Sequence, residues 1–184
     1  ATIPSNLAAV LYNKMQGGIS VVAVNTMGVL YILENGDTVE SVADLAGKTI
    51  YATGQGSTPE FALKKILAAN GVENVTVEYL GAHADLANAM AAGDVTLALL
   101  PEPFVSTVLA KNADIKVKID INEEWQKIFG EDAGMPMGVT VVLNDFAADK
   151  AAMEKLIADY SQSVEYVTTD PDAAAADIVA AGIV

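Results

Sequence analysis

Seven short apolar runs, most of them followed by a segment with helical periodicity, constrain this chain more than any other feature. They are ISVVAV, GVLYIL, TIYATG, VTVEYL, VTLALLP, IKVKIDI and GVTVVLND. A strand with one wet face alternates apolar and polar residues, whereas a strand covered on both faces reads as a continuous apolar run. Alternation of such runs with helices predicts an α/β fold with parallel sheets flanked by helices. The helical patterns are PSNLAAVLYNKMQGG with a stop at Gly17-Gly18, a helix opening near Ser57, one over about 83–92, and one over about 103–111. A short helix is expected around Trp125, a long one over about 147–168, and a last one in the alanine-rich tail from Asp172.

The stretch YATGQGSTPEFALKK, residues 51–65, holds the main chemical signal. It is neither a P-loop, which closes on Gly-Lys-Ser/Thr, nor a dinucleotide fingerprint, which needs three spaced glycines. It is a helix start. Either Thr58 caps the helix with Pro59 at its first position, or Ser57 caps it with Glu60 three residues on as a capping box. Ala62, Leu63, Ile66 and Leu67 make the apolar stripe, and Asn70-Gly71 is the stop. The simplest reading is a capped turn. The functional one is that backbone N–H groups, hydroxyls and a positive helix end lie at the carboxyl edge of a sheet, where open α/β folds bind small molecules.

Composition excludes several classes. Ten Lys+Arg against 24 Asp+Glu give a formal charge of -14, which repels nucleic-acid phosphate and anionic membranes, so no nucleic-acid partner is expected. All ten basic residues are lysines, so the bidentate guanidinium clamp for carboxylate or phosphate is missing. Zero cysteines exclude disulfides, thiolate catalysis and cysteine-ligated zinc. The single histidine, His83, falls near a helix start and reads as a surface residue rather than a catalytic base. No metal or cofactor is expected. No apolar run approaches the roughly 20 residues of a membrane span, and ATIPSNLAAV lacks the basic leader of a signal peptide, as a mature or trimmed chain would.

The order PSN at a helix start, ISVVAVNTMGVLYI, DLAGKTIYATGQGSTPE, LPEPFVS and GMPMGVTVV resembles the solute-binding proteins of ABC importers. The resemblance is to the type II periplasmic-binding group of aliphatic sulfonate, nitrate and thiamine-precursor binders, and it runs over essentially the whole chain. It implies two lobes joined by two crossing strands, with the first lobe formed by residues 1–26 and 135–184 and the second by residues 27–134. Members of that group open with two further βα units, so the first lobe is expected to be incomplete and to favour self-association through exposed apolar surface.

The resemblance further implies a non-enzymatic protein that captures a small polar organic ligand by hinge closure and presents it to a membrane permease. The location would be extracytoplasmic, as a lipoprotein or free in a periplasm. One wall of the cleft would carry Gln55, Gly56, Ser57 and Thr58 together with Glu102 and Pro103, and the other Ser5 and Asn6. Thr26 lies at the first strand crossing, as a hinge or ligand residue, and Met137 at the second, beside Met135. Glu102 has two equal readings, an acceptor for a ligand N–H or a cap for the helix beginning near Pro103. Tyr51 and Phe104 read as core. Two alternatives share the fold: an enzyme of the menaquinone-pathway type, and the effector-sensing domain of a transcription regulator.

Overall fold

The computed structural model describes residues 1–183. The chain opens with β1 (Thr2–Pro4), α1 (Ser5–Lys14) and the long strand β2 (Ile19–Met27). It continues through β3 (Leu30–Asn35), a short 3-10 turn (Val42–Leu45), β4 (Thr49–Ala52), α2 (Thr58–Ala69), β5 (Thr76–Tyr79) and α3 (His83–Ala92). Next come β6 (Leu97–Pro101), α4 (Phe104–Lys111), β7 (Ile115–Asp120) and α5 (Ile121–Phe129). The chain then returns through β8 (Pro136–Leu143) and ends in α6 (Asn144–Ala147), α7 (Lys150–Thr169) and α8 (Pro171–Ala180). Every strand and helix read from the periodicity is present; β1 and the 3-10 turn were not anticipated. The long helix expected over about 147–168 is α7, which Asp149 caps by accepting from the Ala152 amide at 3.1 Å; the one-turn α6 before it was not anticipated either.

The strands form two sheets, ordered β5-β4-β6-β3-β7 and β1-β8-β2. The expectation of parallel sheets holds only for β5-β4-β6 and needs correction elsewhere. β3 runs antiparallel to both its neighbours, and the three-stranded sheet is antiparallel throughout. A parallel neighbour requires a crossover segment. Only Gly28 and Val29 separate β2 from β3, so the chain enters the larger sheet directly at the end where β6 stops, with Leu30 paired to Pro101. It also leaves from that end, since Tyr31 pairs with Asp120 at the end of β7.

Both faces of the larger sheet are covered, which is why its strands are continuously apolar. Ile32, Ile50, Leu97 and Leu99 pack on one face against Leu63 and Ile66 of α2 and Ile121 of α5. Leu33, Ala98 and Leu100 point to the other, against Leu86 and Met90 of α3 and Val105 and Val108 of α4. The stripe Ala62, Leu63, Ile66 and Leu67 is buried as expected, and Met135 joins the first of these cores. Tyr51 and Phe104 pack against the second. The smaller sheet buries Ile19, Val139 and Val141 under Ala8 of α1. By contrast, α7 buries none of its 20 residues.

One carboxylate is built into this frame. Glu34, 5% exposed, ends β3 and accepts from the Thr38 amide at 2.9 Å, the Val39 amide at 3.1 Å and the Thr38 hydroxyl. Burial by itself raises its pKa, but these bonds and the Lys118 charge outweigh burial and hold it below the ordinary glutamate value. A folded pKa below the unfolded one gives stability that is present above the unfolded value of about 4.3 and is lost as pH falls through the folded value. Glu34→Gln is therefore expected to lower the urea midpoint at neutral pH and to flatten its decline in acid. A variant whose acid decline parallels that of the parent would sink this assignment.

Candidate ligand cleft

The turns after β4, β5 and β6 open at the same end of the larger sheet, where the smaller sheet meets it. They enclose a cavity of about 190 Å³ lined by Pro4, Leu30, Gly54, Ser57, Thr58, Pro59, His83, Pro101 and Met137. Next to it, with Thr58 on both walls, lies a groove of about 290 Å³ formed by Ser5, Asn6, Phe61, Ala62, Trp125, Met135 and Pro136. The starts of α1, α2 and α3 converge here, and each helix start carries unsatisfied backbone N–H groups and a partial positive charge.

The loop before α2 is arranged differently from either capping expectation. Ser57 occupies the cap position with extended backbone, but its hydroxyl turns back to donate to the Gly54 carbonyl at 2.5 Å and makes no cap bond. Glu60 reaches past Ser57 to accept from the Gly56 amide at 2.6 Å, so no capping box forms. Gly54, at φ +72, is required: a Cβ there would lie 2.6 Å from the Ser57 hydroxyl. Pairing with Lys64 and the Gly56 amide hold Glu60 below the ordinary carboxyl range.

A polar bridge crosses this junction. Thr58 Oγ1 donates to Asn6 Oδ1 at 3.2 Å, and Asn6 Nδ2 donates to the Gly56 carbonyl at a long 3.4 Å. The start of α1 is thereby tied to the start of α2. Ser5 donates to the Pro136 carbonyl at 2.6 Å and fixes α1 to the beginning of β8.

Of the ten residues named from sequence, Ser57, Thr58 and Met137 line the cavity, and Ser5 and Asn6 line the adjoining groove. The other five line neither space. Gln55 and Gly56 sit exposed at the loop tip, and Pro103 is exposed before α4. Glu102 accepts from the Ser106 amide at 3.2 Å and the Ser106 hydroxyl at 2.9 Å, which is the capping alternative. Thr26 donates to Asn25 Oδ1 at 3.0 Å, while Asn25 Nδ2 donates to Thr140 Oγ1 at 3.1 Å, stitching the strand crossing. Gly138 allows that crossing, because a Cβ there would meet Asn25 Oδ1 at 2.4 Å.

His83 is the residue the sequence reading misplaced. It is half-buried on the cavity wall, with Nδ1 hydrogen-bonded to the buried Thr53 hydroxyl and its ring 5.3 Å from that of Phe104. Desolvation lowers its pKa below the ordinary histidine value and so favours the neutral imidazole. The available signal was positional: His83 begins the helix after β5, a third strand-to-helix turn at the same sheet edge as the two that the sequence singled out.

The chain is similar to an ABC transporter from Parabacteroides distasonis, at 22% identity and TM-score 0.78, with all of this chain matching 61% of that one. It is also similar to the periplasmic aliphatic sulphonate binding protein SsuA from Escherichia coli, at 19% identity and TM-score 0.73, over 95% of this chain and 58% of that one. The alkanesulfonate-binding protein SsuA from Xanthomonas axonopodis pv. citri, bound to MOPS, matches at 21% identity and TM-score 0.65, over 94% and 57%. The chain thus spans about three fifths of the length of these structures, and the likeness establishes the two-lobed type II periplasmic-binding fold. No curated protein sequence gives a significant match. A family model described as menaquinone biosynthesis matches residues 12–182, nearly the entire chain, and the chain belongs to that family.

Proposed function

We propose that this chain is the ligand-capturing part of an extracytoplasmic solute-binding protein that holds a small organic solute in the cleft and delivers it to an ABC permease. The observation that carries this reading is the Thr58–Asn6 bridge, from the start of α2 to the start of α1, beside a cavity of about 190 Å³. A ligand lying between the starts of α1 and α2 would favour the shut arrangement by touching both sides. The lobes would be residues 1–26 with 135–184, and residues 27–134. The fold shared with the sulfonate binders supports the reading.

The family match favours a second reading, an enzyme acting on a small molecule in the same cleft. Mass spectrometry separates the two. A binder releases its ligand unchanged on denaturation, and its melting temperature rises with the logarithm of added ligand once ligand is in excess. An enzyme converts a component of a metabolite extract over time, and time-dependent conversion would end the transport reading. With the retained ligand in hand, Thr58→Ala is expected to raise the dissociation constant a few-fold to about tenfold, the equivalent of one neutral hydrogen bond, with little change in melting. Unchanged affinity would show that the bridge does not gate binding.

A further inference from the structure

Among the residues lining the cavity, one side chain has a polar atom without a partner. Ser57 donates to Gly54 and Thr58 donates to Asn6, and Pro4, Leu30, Pro59, Pro101 and Met137 carry no side-chain donor. No lysine lines the space either. His83 remains, with one nitrogen on Thr53 and one ring face against Phe104, which leaves Nε2 free.

Which proton Nε2 carries follows from Thr53. The residue is 3% exposed, and among the described residues its hydroxyl has no other hydrogen-bond partner than His83 Nδ1. A hydroxyl has a single O–H to donate, and a buried donor left without an acceptor is costly. Thr53 therefore donates to Nδ1, so the neutral ring must carry its proton on Nε2. The cavity thus presents one free side-chain N–H, that of His83, in a wall that includes Pro4, Pro59 and Pro101, with no cationic side chain to favour a fully charged solute.

We propose that His83 is the specificity-determining contact of the cleft, its Nε2–H donating to the carbonyl or carboxylate oxygen of a small flat ring compound held between the proline faces. This rests on the reading of the cleft as a ligand site. Because the donor is a neutral imidazole, an uncharged carbonyl serves it as well as a carboxylate.

His83 is the only histidine, so imidazole nitrogen–proton correlation spectra of the labelled full chain report on it alone. The expected result is a single tautomer protonated at Nε2, which Thr53→Val converts to a mixture. Benzamide and benzoate should shift the Nε2 signal together with the backbone amides of Ser57 and Thr58, and toluene, which has no acceptor, should leave Nε2 in place. His83→Phe keeps a flat ring in the wall and should weaken benzamide binding about three- to tenfold, the loss of one hydrogen bond. An Nδ1-protonated ring overturns the proposal. So does movement of the Ser57 and Thr58 amides while Nε2 stands still, although ligand capture in the cleft then survives. If none of the probes moves any cleft amide at millimolar concentration, the proposal fails, while ligand capture in the cleft is decided separately by the retained ligand.

Discussion

Gly28→Val is expected to lower the unfolding free energy by about 3 kcal/mol or more, from backbone strain and overpacking acting together. Gly28 has φ +41, and a Cβ there would lie 2.3 Å from Asn122 Cγ and 2.4 Å from Asn122 Cβ. The root of a side chain cannot swing away, so backbone would have to move. The site is also where the two connections between the sheets meet. The Gly28 amide donates to the Met135 carbonyl at 3.0 Å, and the Met135 amide donates to Asn122 Oδ1 at 3.2 Å. Displacing Asn122 therefore loosens both connections at once. Urea denaturation followed by circular dichroism measures the effect, with Gly81→Ala as control, since Gly81 lies in open space at an ordinary φ and should change little. A Gly28→Val chain within about 1 kcal/mol of the parent would refute this packing; surface changes ordinarily fall inside that range.

The second large effect is on association state. The chain exposes 10460 Å², whereas a compact monomer of its mass exposes about 8,400 Å². The excess of about 2,000 Å² is on the scale of a stable protein–protein interface. Much of it is apolar and concentrated on the C-terminal helices and the smaller sheet: Ile157 (53%), Val164, Val167 and Val179, with Val21, Val24 and Leu143. A second copy of this chain is expected to cover that surface at micromolar concentration, as a dimer in sedimentation velocity. The net charge of -14 opposes the pairing, so added salt should strengthen it by screening. Ile157→Glu with Val164→Glu should restore the monomer without unfolding the larger sheet's core, because neither residue is buried. A sharp monomer boundary at every concentration and salt level would sink the idea.

The periodic signals proved most informative where the physics is local. Leu97, Ala98, Leu99 and Leu100 read as a strand buried on both faces, and alternate residues enter the two cores. The α2 stripe and its Asn70-Gly71 stop, the α1 stop at Gly17, and the placing of Ser57, Thr58, Ser5 and Asn6 around one junction were equally legible. The capping box was not, because Ser57 and Glu60 had several acceptors and donors within reach. The Ser57 hydroxyl turned to Gly54 and the Glu60 carboxylate to Gly56. Glu102 offered two equal readings, and its bonds to Ser106 select the cap.

What the sequence determined by itself was the inventory: which segments are strands or helices, which of their faces are apolar, and that the site must work without arginine, cysteine or a second histidine. Each follows from residue type and spacing within one element. The direction of β3, the bridge from Asn6 to Thr58, and the burial of His83 between Thr53 and Phe104 were decided only by the tertiary structure. They join residues about 20 to 90 positions apart, and no periodicity within an element encodes where another element will stop. A histidine at a helix start has the same local sequence whether it faces water or a cavity. Here the sheet edge supplies the difference, by bringing the turns after β4, β5 and β6 to one end.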